Sequence, residues 1–203
     1  QSLKQAVDEL GLPIVLKTVT GGYDGKGQFV LRSEDQIDTA WAELGPAKSL
    51  IAESFVKFSR EVSIIAVRGQ DGDVKTWALA ENHHHNGILS HSIVPAPNST
   101  DLQPVAQDYI TRLLNHLNYV GVLTLELFVT EQGLYANEMA CRVHNSGHWS
   151  IEGAICSQFE NHIRAVAGLP LGATDVVRPA VMVNIIGQHP KSEYVLALKG
   201  AHL

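Results

Sequence analysis

The sequence is short of cysteine, of positive charge and of long apolar runs, and each shortage excludes a class of protein. Its two cysteines, Cys141 and Cys156, provide no disulfide framework, so we expect a reducing compartment, the cytoplasm. No apolar run approaches the about 20 residues that a membrane helix needs, and no signal-peptide pattern opens the chain. What remains is an ordinary globular protein of 203 residues with no expected membrane partner.

Basic residues are outnumbered by acidic ones, 15 Lys and Arg against 21 Asp and Glu, which gives a formal net charge of −6. This balance argues against a bulk nucleic-acid binder, although a local basic pocket remains compatible with it. The chain begins with Gln and closes on "LKGAHL". We therefore expect it to be a piece of a longer protein.

Four glycines and a lysine stand between two strand-like runs in "TVTGGYDGKGQFVLR", residues 18–32. A glycine-rich loop exposes backbone N–H groups to an anion, and Lys26 and Lys17 add positive charge beside them. The nucleotide-binding P-loop pattern fails, because Thr20 replaces its first glycine and Gly27 replaces its Ser or Thr. We interpret the loop as a phosphate-binding flap; a plain glycine hairpin with an incidental lysine is the alternative.

Two glutamates are predicted to face each other where "GVLTLELFV" and "LYANEMACR" surround "TEQG". If residues 131–133 form a three-residue loop, Thr130 pairs with Leu134 and Glu126 lies opposite Glu138. Their Cβ atoms would then be about 5 Å apart, a repulsive arrangement among apolar neighbours. A two-residue turn, the alternative, would shift the register by one and turn one glutamate to solvent.

A divalent cation would relieve that repulsion. Glu126 and Glu138, with Asn137 beside them, form an oxygen-only set suited to Mg²⁺, which commonly binds substrate phosphates as well. Together with the glycine loop, this predicts a site for Mg-ATP, with Mn²⁺ as an alternative metal.

The segment "RVHNSGHW" crowds Arg142, His144, Asn145 and His148 into the corner between a strand and the last helix. Free N–H groups at a helix start and a planar guanidinium both favour an anion such as carboxylate, bicarbonate or phosphate. We predict a second-substrate pocket here; a capped helix with surface histidines is the alternative.

Three consecutive histidines occur in "NHHHN", residues 82–86. In a strand they point to alternate faces, so they do not form one compact zinc site unaided. We expect structural or solvated roles for His83 and His85, and we expect His84 to face the phosphate site.

The hydrophobic pattern predicts an α+β fold of two lobes with the nucleotide site in the cleft between them. The small lobe is placed at residues 1–57, the large lobe at 58–190, and the start of a truncated C-terminal region at 191–203. A last helix is predicted from about residue 148, with one apolar face. That face consists of Ile151, Ile155, Phe159, Ile163 and Val166.

These motifs together resemble the N5-carboxyaminoimidazole ribonucleotide synthase family of the ATP-grasp superfamily. The resemblance rests on "GGYDGKGQ", "ESFVKFSREVS", "NHHHNGILSHSIVPAP", "GVLTLELFVTEQGLYANEMACRVHNSGHWS" and "SQFENHIRAVAGLPLG". It implies an ATP-grasp fold and an ADP-forming ligase of purine biosynthesis. Its small-molecule substrates would be ATP, bicarbonate and 5-aminoimidazole ribonucleotide, joined through carboxyphosphate.

The resemblance also implies roles for individual residues. Nucleotide contacts are implied at Lys17, Gly22, Tyr23, Asp24, Gly25, Lys26, Gly27, Gln28, Glu53, Ser54, Phe55, Val56, Glu61, His84, Asn137 and Glu138. The implied metal ligands are Glu126 and Glu138. Tyr23, Asp24 and Lys26 would meet the aminoimidazole ribonucleotide. Arg142, His144 and Asn145 would surround bicarbonate and carboxyphosphate.

Two departures from the family pattern bear on activity. Cys141 stands where the family usually has proline, which leaves the corner before Arg142 more flexible. The family also has an N-terminal α/β domain and a C-terminal region, on which part of the substrate site and the contacts of an expected homodimer depend.

Three alternatives follow from these departures and from the histidines. The chain would be a nucleotide-binding module without turnover, an ATP-grasp ligase with another acid and amine, or a histidine-rich metal-binding protein. ADP release that depends on bicarbonate separates the first two from the family's reaction, and tight zinc binding through residues 83–85 would support the third.

Overall fold

The structure is a computed structural model that describes residues 2–20, 26–45, 49–188 and 190–203. The chain forms two compact units. Unit 1 consists of residues 1–57 with 85–88, and unit 2 consists of residues 58–84 with 89–203. Both mix helices with antiparallel strands, as the predicted α+β class requires. No helix in the described ranges has both the length and the apolar character needed to cross a bilayer.

The strands and helices of the described residues are numbered in chain order. The strands are β1 Ile14–Thr18, β2 Gln28–Leu31, β3 Leu50–Ser54, β4 Arg60–Arg68, β5 Val74–Thr76, β6 Ala80–His85, β7 Ile88–Val94, β8 Gly121–Thr130, β9 Gly133–Ala140 and β10 Ala180–Val183. The helices are α1 Leu3–Leu10, α2 Ile37–Leu44, α3 Leu102–His116, α4 Ser150–Gly153, α5 Gln158–Val166 and α6 Ser192–Leu196. Short 3₁₀ turns cover Glu34–Gln36 and Asn145–Gly147.

Unit 1 is a three-stranded antiparallel sheet, ordered β2-β1-β3, packed against α1 and α2. Helix α1 begins after Ser2, whose hydroxyl accepts from the Gln5 N–H, and it ends at Gly11, which has a positive φ of 72°. The core of unit 1 consists of Val7, Ile14, Leu16, Leu31, Ala40 and Leu44. Strands β1 and β2 carry the predicted phosphate-binding residues on either side of the glycine loop.

Unit 2 is a seven-stranded sheet ordered β10-β7-β6-β4-β8-β9, with β5 paired to β4. Leu123, Leu125 and Leu127 of β8 pack toward α3 on one face. Because side chains alternate along a strand, Glu126 lies on the other face, as does Val122, which belongs to a second core with Trp77 and Trp149. That second face carries the polar residues of the predicted site.

The last helix differs from its prediction. It is broken into α4 and α5 at Ala154, which has extended φ/ψ of −120° and 160°. The residues of the predicted apolar face are between 38 and 65 % exposed. The buried face of α5 instead carries Gln158, Asn161 and Ala165. The prediction was wrong because polar side chains here bind backbone groups of neighbouring segments, and those bonds orient the helix.

Candidate nucleotide and metal site

The hairpin β8–β9 places Glu126 opposite Glu138, as predicted, but by another route. Thr130 pairs with Gly133, so the loop has two residues and the predicted three-residue loop was wrong. A β-bulge between Glu126 and Leu127 then shifts the register by one residue. Since Leu127 pairs with Ala136 and Glu126 with Glu138, Asn137 is the inserted residue, and the bulge restores the pairing of the two glutamates.

The bulge also determines which side chains can offer oxygen ligands to a metal ion. In a β-bulge, two residues of one strand oppose one residue of the other, so Asn137 and Glu138 both lie opposite Glu126. Two carboxylates and an amide provide hard oxygen ligands, and the Glu126 side chain is only 12 % exposed. These residues fit a bound Mg²⁺.

The consecutive residues His83 and His84 point to opposite faces of the sheet. His84 Nδ1 lies 3.4 Å from Glu61 Oε1 on β4. His83 turns the other way, stacks on His91 at a ring-centroid distance of 4.4 Å and contacts Glu81 at 3.0 Å. This matches the predicted alternation, and it brings His84 alone of the two to the side of the sheet that carries Glu61.

The hydrogen bond to Glu61 is the main reason why the pKa of His84 lies above its ordinary value of about 6.5. Burial lowers this pKa, whereas the charges of Glu61, Glu126 and Glu138 raise it. His84 therefore lies within the field of the paired glutamates and belongs to the same cluster.

We expect the His84 ring to titrate above its ordinary pKa in an NMR pH titration, and Glu61→Gln to move that pKa downward. His83→Gln serves as the control, because it leaves the Glu61 contact intact. Since the folded pKa is raised, the stabilising contribution is complete below about pH 6.5 and is lost as the pH rises through the folded pKa. An unchanged His84 pKa in Glu61→Gln would contradict the assigned cause.

His144 contacts Glu126 directly, with Nε2 3.0 Å from Oε1. Its other ring nitrogen, Nδ1, accepts from the Ser146 N–H at 3.3 Å and lies 2.9 Å from the Ser146 hydroxyl. Because a backbone N–H only donates, Nδ1 is the acceptor, so in the neutral ring the proton lies on Nε2 and is donated to Glu126. Ser63 Oγ on β4 donates to Ser146 Oγ at 2.8 Å, which ties the 3₁₀ turn that contains Ser146 to the sheet.

Gln158 holds the same corner from α5. Its fully buried amide accepts from the His144 N–H at 2.9 Å and donates to the His144 carbonyl at 2.7 Å. Its own N–H donates to Ser150 Oγ at 3.0 Å. The backbone of His144 is thereby fixed, and with it the direction of the ring toward Glu126.

The remaining residues of the corner differ from His144 in their burial and in their hydrogen bonds. Arg142 is exposed, and its Nη1 donates to the Val143 carbonyl at 3.0 Å. Asn145 Oδ1 is buried and has no hydrogen-bond partner among the described residues. Cys141 is exposed, and its carbonyl accepts from the Tyr119 hydroxyl at 2.8 Å.

Unit 1 carries the other predicted nucleotide contacts. Lys17 on β1 forms an ion pair with Glu53 on β3, Nζ to Oε2 2.7 Å, and Gln28 pairs directly with Lys17. The carbonyl of Gly27, whose φ is +76°, accepts from the Thr18 N–H at 2.7 Å. Beyond β3, the ring of Phe55 lies 5.5 Å from the Arg32 guanidinium.

The similarity of this chain to known proteins shows its family. The ATP-grasp domain family matches residues 1–159. The chain belongs to the ATP-grasp family. The N5-carboxyaminoimidazole ribonucleotide synthase of Pseudomonas aeruginosa is 52 % identical to it over 201 residues, 99 % of this chain and 55 % of that protein. The predicted fold and family resemblance are confirmed.

Solved structures similar to this ATP-grasp chain include the following two. The N5-carboxyaminoimidazole ribonucleotide synthetase of Thermus thermophilus has a TM-score of 0.90 at 49 % identity, covering 98 % of this chain and 54 % of the other. The synthase of Aspergillus clavatus, in complex with ADP and 5-aminoimidazole ribonucleotide, has a TM-score of 0.81 at 32 % identity, covering 92 % and 49 %. This chain spans about half the length of these relatives.

Within the ATP-grasp chain, the predicted residues other than Arg142 and Asn145, described above, fall into three sets. Glu61, His84, Glu126, Asn137, Glu138 and His144 come together in unit 2. Lys17, Lys26, Gly27, Gln28, Glu53, Ser54, Phe55 and Val56 lie in unit 1. Gly22, Tyr23, Asp24 and Gly25 lie outside the described residues.

Sequence reasoning missed Ser63, Ser146 and Gln158, which orient His144. Ser63 and Ser146 are 83 positions apart, and no local pattern joins them. Gln158 gave no signal either, because α5 also contains the polar residues Glu160, Asn161, His162 and Arg164.

Proposed function

We propose that this chain is the ATP-binding part of an N5-carboxyaminoimidazole ribonucleotide synthase. The reaction converts ATP, bicarbonate and 5-aminoimidazole ribonucleotide to ADP, phosphate and N5-carboxyaminoimidazole ribonucleotide. The observation that carries the proposal is the pairing of Glu126 with Glu138 across a bulged hairpin, in a chain similar to such synthases over nearly its whole length.

In this proposal the chemistry has two steps. A bicarbonate oxygen attacks the γ-phosphorus, the bond to the β,γ-bridging oxygen breaks, and ADP leaves as carboxyphosphate forms. The exocyclic amine then attacks the carboxyl carbon, the carbon–oxygen bond to phosphate breaks, and the amine loses a proton. Negative charge on the phosphoryl oxygens makes positioned cations and N–H donors the main catalytic devices.

Glu126 and Glu138, with Asn137 beside them, would hold Mg²⁺, which supplies positive charge to the nucleotide phosphates. Lys17 and the loop from Gly22 to Gln28 would contact the phosphates. Glu61 would accept from the ribose hydroxyls, and His84 would approach the nucleotide. Adenine would be contacted by four consecutive residues, Glu53, Ser54, Phe55 and Val56.

The corner would take bicarbonate and carboxyphosphate at Arg142, His144 and Asn145, while Tyr23, Asp24 and Lys26 would meet the aminoimidazole ribonucleotide. The buried Oδ1 of Asn145, which has no partner in the described chain, offers an acceptor to an N–H donor such as the exocyclic amine. His144 would also keep Glu126 in place for the metal, since its Nε2 proton is directed there.

ADP release is the test of this function. With Mg-ATP, bicarbonate and aminoimidazole ribonucleotide all present, we expect ADP and phosphate in equal amounts, and we expect the background rate when bicarbonate is omitted or replaced by formate. Release that needs formate or an amino acid instead would contradict the proposal and support another ATP-grasp ligase.

A nucleotide-binding module without turnover is the second candidate, because the chain spans about half of its relatives. It predicts Mg-dependent ATP binding with no bicarbonate-dependent ADP. The homodimer expected of the longer parent protein belongs to the same proposal and is tested by the mass of that parent in solution.

A further inference from the structure

Two carboxylates and one imidazole that can bind a metal ion meet on one face of the large sheet. Glu61 is on β4, His84 on β6 and Glu126 on β8, and β6-β4-β8 are neighbouring strands. One ligand atom from each lies within 4.8 Å of the other two. Because paired strands fix these backbones, the cluster does not depend on loop conformation.

The spacing is close to that of a metal centre. Ligands about 2.0–2.1 Å from a tetrahedral ion lie about 3.4 Å from each other. His84 Nδ1 and Glu61 Oε1 are already 3.4 Å apart. Small rotations of Glu126 would bring its oxygen to the same separation, since its distances to the other two ligand atoms do not exceed 4.8 Å.

The surroundings allow an ion to enter and be held. The side chains of His84 and Glu61 are 23 and 24 % exposed, and that of Glu126 is 12 % exposed. They are partly withdrawn from water but still reachable. Two carboxylates and one imidazole favour a first-row transition ion, whereas Mg²⁺ prefers oxygen alone.

We propose that Glu61, His84 and Glu126 bind a first-row transition dication, such as Zn²⁺, in the nucleotide-free chain. This ion differs from the Mg²⁺ of the proposed function, because two of its ligands, Glu61 and His84, are not Mg²⁺ ligands there. Since Glu126 is shared, the ion excludes Mg²⁺ from Glu126 and acts as an inhibitor of Mg-ATP binding. This inhibitory consequence rests on the proposed function; the metal binding itself does not.

The binding test uses Co²⁺ and Zn²⁺ on the whole chain, prepared without a histidine tag and without nucleotide. We expect one saturable Co²⁺ per chain, seen as visible d–d absorption, which Zn²⁺ displaces. His84→Gln and Glu61→Gln should each weaken binding at least about tenfold, because even losses outside the ligand shell cost that much at metal sites. Circular dichroism verifies that each variant is folded.

His83→Gln and Glu81→Gln are the matched controls. They change the neighbouring residues of the same strand, and His83 stacks on His91 instead of facing Glu61. Both should bind Co²⁺ like the unaltered chain. An unaltered chain that binds no Co²⁺, or a loss in His83→Gln equal to that in His84→Gln, would overturn the proposal.

Competition with Mg-ATP then separates this inference from the proposed function. Added Zn²⁺ should raise the apparent Kd for Mg-ATP in the unaltered chain. Co²⁺ binding without any Mg-ATP binding would refute the proposed function and leave the metal site standing. Mg-ATP binding without Co²⁺ binding would refute the metal site alone.

Discussion

Replacing the buried Gln158 by leucine is expected to destabilise the chain by about 2–4 kcal/mol, although leucine is the more apolar residue. The side chain is fully buried and exchanges two hydrogen bonds with the backbone of His144, at 2.9 and 2.7 Å. Leucine leaves the N–H and carbonyl of His144 without these partners. Urea unfolding followed by circular dichroism measures the loss.

The matched control, Ile163→Gln, makes the opposite change on the same helix. Ile163 is 65 % exposed, so we expect its replacement to alter the free energy of unfolding by no more than about 0.5 kcal/mol. The structure thus predicts that a polar-to-apolar change harms α5 and an apolar-to-polar change does not. A large loss in Ile163→Gln with none in Gln158→Leu would show that α5 is rotated from its described position.

Trp77→Ala is expected to cost about 3–5 kcal/mol, the usual range for truncating a buried aromatic residue. Trp77 is 1 % exposed and packs in the second core of unit 2 with Val122 and Trp149. Its Nε1 donates to the Cys156 carbonyl at 3.0 Å, which ties the segment between α4 and α5 to the sheet. The change therefore removes both packing and an anchor of the corner that holds His144.

Trp41→Ala provides the comparison for the same chemical change. Trp41 is 58 % exposed on α2, so we expect a loss of no more than about 0.5 kcal/mol. Thermal unfolding of both variants, followed at far-ultraviolet wavelengths, gives the two differences. Similar losses for the two tryptophans would contradict the described core of unit 2.

The paired glutamates show which features of the hairpin could be predicted from the sequence pattern and which could not. The two strands, the presence of a turn between them and the opposition of Glu126 to Glu138 were predicted correctly, although the length of the turn was not. The route was not, because the loop has two residues and the bulge at Asn137 compensates for the shorter turn. A bulge shifts the register by one residue without leaving a distinct mark in composition.

For the corner around His144, the sequence predicted a cluster of polar residues and did not predict their geometry. Its geometry depends on contacts between distant segments, Ser63 with Ser146 and Gln158 with His144. The apolar spacing along α5 indicated the wrong buried face, since the bonds of Gln158 and Asn161 to backbone groups outweigh the burial of larger side chains. Hydrophobic periodicity detects apolar side chains, and it does not detect polar side chains that are buried.

Mg²⁺-dependent ATP binding by calorimetry tests the central claim most directly, with the unaltered chain beside a Glu126→Gln, Glu138→Gln double variant. The double variant keeps the size of both side chains and removes both charges, so we expect Mg²⁺-dependent affinity to fall at least about tenfold. Glu131→Gln, in the exposed turn of the same hairpin, is the control and should bind like the unaltered chain. Equal Mg²⁺-dependent binding by the double variant and the unaltered chain would contradict the assignment of the metal to Glu126 and Glu138.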